Sequence, residues 1–271
     1  MKVLEIIENV YQTLTNREKL VANYFLEQKY QVVLQTLSEI STNVGVGEAT
    51  VIRFCHKLGF KSFLEVRLML DLENTKENRN LTNSYIDAIE KRVESSIRKS
   101  IELIDEEDLE KALQLIDEKE HLVTIGVAYS GISAQALAAR FIRAGKLCHC
   151  IIDPHLQSMY SSWAGENSLL IVFSLSGRTK DTLAAMKLAK QNNVKTIAIT
   201  NFRNSPVAKL ADVTLLTLSL EGPLDSGSLT GIINQVFIAD LLITGYLLLD
   251  RDKSLKIKEA ALKAIGDKLL D

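Results

Sequence analysis

Cysteine is scarce in this chain: Cys55, Cys148 and Cys150 are the only three in 271 residues. An odd, sparse set cannot staple a small extracellular framework, which excludes a disulfide-rich fold. Cys148 and Cys150 stand two positions apart in an apolar run, so both fall on one side of a strand. A two-ligand metal or redox pair is one reading of them. A buried pair of small hydrophobes is the other, and it is the one we expect. Net charge is also small, −2 at pH 7 from 32 basic and 34 acidic residues. The overall balance therefore argues neither for nor against nucleic acid, and any DNA affinity must come from a local basic face. The opening apolar run is broken by Lys2, Glu5 and Glu8, so no secretory signal is expected. Internal repeats and low-complexity tracts are absent. The longest apolar stretch, Gly231 to Leu249, is almost long enough to span a bilayer. It holds Asn234, Gln235 and Asp240 and no basic cluster precedes it, so we expect a buried or subunit-interface helix, no membrane partner and a cytoplasmic protein.

What is present is a chain with 46% hydrophobic residues, enough to bury a sizeable core, at a length that suits two domains better than one. The first 75 or so positions read as helices. Leu4, Ile7, Tyr11 and Leu14 fall on one helical face. Thr15 with Glu18, and Thr36 with Glu39, form two capping boxes that open further helices. Gly45 marks a tight turn, a helix follows from about Gly47 to Leu58, and Gly59 ends it. Phe63, Val66 and Leu70 give another amphipathic helix its inward stripe. The polar run from Asp71 to Asn83 is the best linker candidate. After a charge-laced helical stretch to about Lys119, short apolar runs alternate with helices: 122–125, 147–152, 169–173, 196–200 and 213–218. That alternation predicts a five-stranded parallel sheet covered on both faces, closed by two helices over 228–249 and 253–269.

The pair of helices around Gly45 has helix-turn-helix spacing. On a 100° wheel Val51, Phe54, Cys55 and Leu58 point inward. Thr50, Arg53 and Lys57 share another face, flanked by Ala49 and His56. Short side chains near the start of that face permit close approach to a major groove, where Arg53 and Lys57 reach base edges or phosphates. Lys61 and Arg67 are placed to hold the backbone. The alternative is a helical interaction domain with a solvated polar face.

Two loops between strand and helix carry the other signal. One is Gly126-Val127-Ala128-Tyr129-Ser130-Gly131. The second is Phe173-Ser174-Leu175-Ser176-Gly177-Arg178-Thr179. Ligands of parallel α/β sheets bind at the carboxyl ends of strands, where helix N-termini present free N–H groups. Ser174, Ser176, Thr179 and Ser130 supply hydroxyls for a phosphate, and Gly177 lets the backbone come close. A helix cap explains one such hydroxyl, but not all of them. A dinucleotide fingerprint fits poorly, since Ala128 and Ile132 break its glycine spacing and only Asp153 comes near the expected acidic position.

Residues 174–182, Ser-Leu-Ser-Gly-Arg-Thr-Lys-Asp-Thr, closely resemble the phosphosugar loop of SIS (sugar isomerase) domains. Residues 47–60, Gly-Glu-Ala-Thr-Val-Ile-Arg-Phe-Cys-His-Lys-Leu-Gly-Phe, resemble the helix-turn-helix of the RpiR family of regulators. The resemblance implies an all-α helix-turn-helix domain followed by a three-layer αβα SIS domain. It also implies sugar-phosphate binding by Ser130, Ser174, Ser176 and Thr179, control of sugar or amino-sugar genes, and a homodimer or homotetramer formed through the SIS domain. Two departures stand out. Position 47 is glycine where the family usually has a capping serine. The loop before the long C-terminal helix reads Ser228-Leu229-Thr230-Gly231 in place of a Ser-Arg pair, so the sugar itself is not read.

Together these readings give residues 1–78 as the DNA-binding domain, 79–105 as a helical linker and 106–271 as the phosphosugar-binding domain. The expected effector set is Tyr129, Ser130, Ser174, Ser176, Gly177, Thr179 and Glu221, with Ser226 nearby. The expected DNA-contacting set is Glu48, Ala49, Thr50, Arg53, His56, Lys57 and Lys61. Double-stranded operator DNA and a phosphorylated sugar are the expected partners, with no metal and no cofactor. Two other functions compete. An aldose–ketose phosphate isomerase would use Glu221 as base and His155, in a loop after Asp153-Pro154, as acid. A sugar-phosphate sensor could instead act on a protein partner through its helical head.

Overall fold

The computed structural model describes residues 2–78, 85–218 and 229–266. They divide into two compact units, with the break between Arg92 and Val93, and each is taken by itself.

The N-terminal unit is helical: α1 (Val3–Val10), α2 (Asn16–Gln28), α3 (Leu37–Val44), α4 (Glu48–Lys57) and α5 (Phe63–Asn78). Both capping boxes form. Thr15 and Thr36 accept from the N–H groups of Glu18 and Glu39, whose carboxylates accept in return from the threonine N–H groups. The core gathers Val3, Ile7, Leu14, Val21, Phe25, Ile40, Val51, Phe54, Leu58, Phe63, Val66 and Leu70. Phe25 is its hub, meeting Phe54 and Phe63 edge to face at 5.3 and 6.4 Å. The first helix stops at Val10, so Tyr11 and Leu14 belong to a following turn rather than to one continuous face. The expected linker is also corrected at its start: residues 71–78 continue α5. Its polar residues serve packing, since Asp71 is buried and the Glu73 carboxylate accepts from the Val3 N–H at 2.8 Å.

Helix α6 (Tyr85–Glu102) contains the break and is followed by α7 (Glu106–Glu118). The C-terminal unit then alternates β1 (His121–Ile125), α8 (Tyr129–Arg143), β2 (Cys148–Ile151), α9 (Pro154–Trp163), β3 (Ser168–Phe173), α10 (Lys180–Gln191), β4 (Lys195–Thr200), α11 (Pro206–Leu210) and β5 (Val213–Leu216). Helices α12 (Leu229–Leu249) and α13 (Arg251–Gly266) close it. All five strands are parallel, in the order β2-β1-β3-β4-β5. Strand residues alternate between two cores. Leu122, Leu169, Ile171, Phe173, Ile197 and Ile199 pack with α7, α8 and α12. Val123, Ile125, Leu170, Val172 and Ala198 pack with α10 and α11. The result is a three-layer αβα unit, as the strand–helix alternation predicts.

Helix α12 is long and apolar enough to cross a membrane by length and composition, a property it shares with core helices of other folds. Its buried face carries Ile238, Ala239, Leu242 and Ile243 into the first core, together with Thr230, Asn234 and Gln235.

Candidate functional site

From β1 the chain passes to β2 on one side and then crosses to β3 on the other. The crevice between the carboxyl ends of β1 and β3 is thus the switch point of the sheet, where such folds bind ligands. Ile125 pairs with Val172, so the residues after both strands lie next to each other. Both serine-bearing loops start at that crevice.

The second loop is held by its neighbour strand. The Ser174 N–H donates to the Ile199 carbonyl, and the Asn201 N–H to the Leu175 carbonyl, each at 3.0 Å. The Thr200 hydroxyl adds a bond to the same Leu175 carbonyl at 3.2 Å. Gly177 is buried with φ +59°. A Cβ there would collide with the Ser205 side chain, so this position needs glycine for both conformation and space. Ser174 is 3% exposed, and its buried hydroxyl has no partner. Thr179 stands at the N-cap of α10, yet makes no side-chain cap bond. Ser176 is exposed and its hydroxyl accepts from the Arg178 N–H at 3.2 Å. Capping therefore accounts for neither Ser174 nor Thr179, which lie in the loop that leads into the N-terminus of α10.

In the first loop Ser130 is nearly buried and accepts from Gln235 Nε2 of α12 at 3.2 Å. Tyr129 is half exposed at the start of α8. Ala128 before it has φ +53°, a conformation costly for a residue with a Cβ and typical of ligand-binding turns. Glu221 and Ser226 lie outside the described residues. His155 is not in a loop: Asp153 caps α9 by accepting from the Leu156 N–H at 2.9 Å, Pro154 opens the helix, and His155 is exposed in its first turn.

Two buried glutamines escaped the sequence reading. Gln157 Nε2 donates to the carbonyls of Gly126 and Ile151 at 3.0 and 2.9 Å, tying the first loop to α9. Gln235 reaches Ser130 as described. Their signal was available for Gln235: adjacent amides inside the longest apolar run need a buried partner. Gln157 gave none, because a lone polar residue in an amphipathic helix reads as surface.

Among the described residues no three His, Cys, Asp or Glu side chains gather into a metal site. Burial pushes the Cys148 thiol up to about 12, with Cys150 adding to the shift, and raises Cys150 too. Both are thiols rather than thiolates, which suits small hydrophobes better than a reactive redox pair.

In the N-terminal unit α3 ends on Gly45, left-handed at φ 72°, and α4 starts three residues later with Gly47 at its N-cap. Glu48, Ala49, Arg53, His56, Lys57 and Lys61 are exposed. Thr50 is not: it is 4% exposed, and its hydroxyl accepts from Arg53 Nη2 at 3.2 Å. The packed arc of α4 extends to Thr50 because that residue is only 40° from Phe54 on the helix wheel and α2 and α3 both pack on this helix. Lys57 is also engaged, its ammonium 2.7 Å from the Glu18 carboxylate of α2. Burial raises the Glu18 carboxyl, but Lys57 and the Thr15 N–H and hydroxyl outweigh it and hold it below its ordinary range. Arg67 is turned inward, donating through Nε and Nη2 to the Val33 carbonyl at 3.0 and 2.6 Å with its guanidinium over the Phe63 ring.

Residues 1–77 match the helix-turn-helix domain of the rpiR family, and residues 114–245 match the SIS domain. An HTH-type transcriptional regulator of Clostridium perfringens is 31% identical, covering 90% of this chain and 91% of its own. One from Haemophilus influenzae is 29% identical over 97% of this chain and 96% of its own. Among solved structures, the Vibrio vulnificus NanR protein complexed with ManNAc-6P has a TM-score of 0.82 and 25% identity, each chain being fully covered. The sugar isomerase domain of an RpiR transcription factor from Sphaerobacter thermophilus has a TM-score of 0.60 and 19% identity, covering 68% of this chain and 99% of that one.

Proposed function

This chain belongs to the rpiR family of helix-turn-helix transcriptional regulators with a C-terminal SIS domain, and on that premise we propose that a phosphorylated sugar, held in the β1–β3 crevice, is its effector. The observation that carries the reading is the Ser174 hydroxyl, buried without a partner beside Ser130 and the free N-terminus of α10. A buried donor with no acceptor costs about 1–3 kcal/mol, and a phosphate oxygen relieves that cost. Gly177, Ser176, Thr179 and Tyr129 complete the expected rim, with Glu221 as a further contact. The NanR protein was solved with a sugar phosphate, which supports the ligand class; the particular sugar stays open. The chain is a regulator and not an isomerase, consistent with relatives that are transcriptional regulators over nearly their whole length.

On this reading α4 enters the major groove of operator DNA. Arg53 reads bases or phosphates from its exposed face, with Ala49, Glu48, His56 and Lys61 around it. Lys57 contributes by holding α4 on Glu18 of α2, and it reaches DNA only if that ion pair opens. The domains are taken as 1–78, 79–105 and 106–271, assembled as a homodimer or homotetramer in the cytoplasm, so that paired α4 helices face a palindromic operator. Effector binding shifts the operator affinity through a coupling of about 1–3 kcal/mol.

A thermal-shift screen of sugar phosphates tests the effector site. A true effector at 100 times its Kd adds about 2.7 kcal/mol of stability, and Ser174→Ala removes that gain. A gain that survives in Ser174→Ala places the site elsewhere.

A further inference from the structure

We propose that Gln235 is the positioning residue of the effector site, orienting the Ser130 hydroxyl so that its hydrogen points to ligand rather than to protein. The proposal rests on reading the β1–β3 crevice as a phosphate site. Gln235 lies on α12 and is wholly buried. Its Nε2 donates to Ser130 Oγ at 3.2 Å. A serine hydroxyl has one hydrogen to give and lone pairs to receive. With the amide donating to it, Ser130 keeps its own hydrogen for another acceptor.

Ser130 thereby becomes like Ser174, whose buried hydroxyl has no partner. Both serines follow neighbouring strands, β1 and β3, and the loop that holds Ser174 leads to Thr179, whose hydroxyl makes no cap bond. Phosphate is acceptor-only when fully ionised, so it matches hydroxyls that keep their hydrogens to give. A carboxamide is the side chain that can build it. The reverse amide orientation, or a carboxylate at position 235, would take the Ser130 hydrogen, and a carboxylate would also set a negative charge near the anion. Next to it on α12, Asn234 Nδ2 donates to the Leu218 carbonyl, and the Leu218 N–H donates to Ser100 Oγ on α6 at 2.9 Å. The Gln235 Oε1 atom is itself buried without a partner. That cost is tolerable where the group serves a ligand site rather than the core.

The test is calorimetric titration of the full-length protein with two probes, ManNAc-6P and inorganic phosphate, in parent, Q235E, Q235M, S130A and the S130A/Q235M double variant. The expected result is a loss of about tenfold in affinity for both probes in Q235M and a larger loss in Q235E. In the S130A background Q235M costs nothing further, because Gln235 acts only through that hydroxyl. A merely structural role gives additive losses in the double variant, and additivity overturns the proposal. So does parent-like binding in both Q235M and Q235E, while leaving the phosphate reading of the crevice intact. If Q235E fails to fold, Q235M and the double variant decide alone. If neither probe binds the parent protein, the crevice reading fails and this proposal falls with it.

Discussion

On the proposed function, Arg53 is the residue on which DNA reading turns. It is exposed on α4, and Thr50, expected beside it, instead folds under as its hydrogen-bond partner. Replacing Arg53 by alanine should weaken operator binding by about 1–3 kcal/mol if it reads a base. Parent-like retention of operator DNA in a mobility-shift titration would assign the reading helix elsewhere. The inward residues Val51, Phe54 and Cys55 were legible from the wheel, because a helix repeats every 3.6 residues whatever it packs against. Thr50 was not, because the width of a buried arc depends on how many neighbours a helix has. Gly177 gives a second expectation. With φ +59° and a Cβ path blocked by Ser205, Gly177→Ala should destabilise the C-terminal unit by about 1–3 kcal/mol. Chemical denaturation measures that, and an unchanged midpoint would contradict the geometry. Cysteine chemistry gives a third. Burial pushes the thiols of Cys55 and Cys148 up to about 12, so in native protein at pH 8 neither should react with an aromatic disulfide reagent on the time scale of an exposed thiol. Fast labelling of either one, located by mass spectrometry, would refute it.

Helix α4 is fastened to α2 by the Glu18–Lys57 pair, and this has a pH consequence. The folded Glu18 carboxyl titrates below its ordinary value. Its contribution is therefore complete at neutral pH and is lost as pH falls through that lowered value. Asp212 behaves the same way: burial raises it, while Lys190 and the Thr196 hydroxyl and N–H lower it further than burial lifts it. Stability should decline from about pH 5 downward, and E18Q should flatten part of that decline while being less stable than the parent at pH 7. Equal slopes for the two proteins in pH-resolved thermal melts would remove Glu18 from the account. The capping boxes behind these helices could be read from Thr-x-x-Glu spacing, since both partners lie within one turn. The Lys57 contact, with partners 39 positions apart, left no trace in local sequence. Likewise, residues 71–78 read as a linker by polarity alone, because the burial of Asp71 and the Glu73 bond to Val3 of α1 are invisible to composition.

At the scale of the whole molecule, one chain joins a helix-turn-helix domain to a SIS domain, and on the proposed function its regulation is a coupling between their equilibria. The family, the two-domain order, the five parallel strands and the serine loop were all legible in the sequence. Each rests on signals confined to a few neighbouring residues: hydrophobic period, cap spacing, and glycine and serine between strand and helix. Folding was needed to show that β1 and β3 are adjacent, and hence that Ser130 and Ser174, which are 44 residues apart in numbering, sit on one crevice at the switch point. It was equally needed to turn Gln235 from an oddity of an apolar run into the partner of Ser130. Strand order and helix-to-loop hydrogen bonds join residues distant along the chain. They are settled only when competing packings are compared in three dimensions, and no local pattern encodes that comparison.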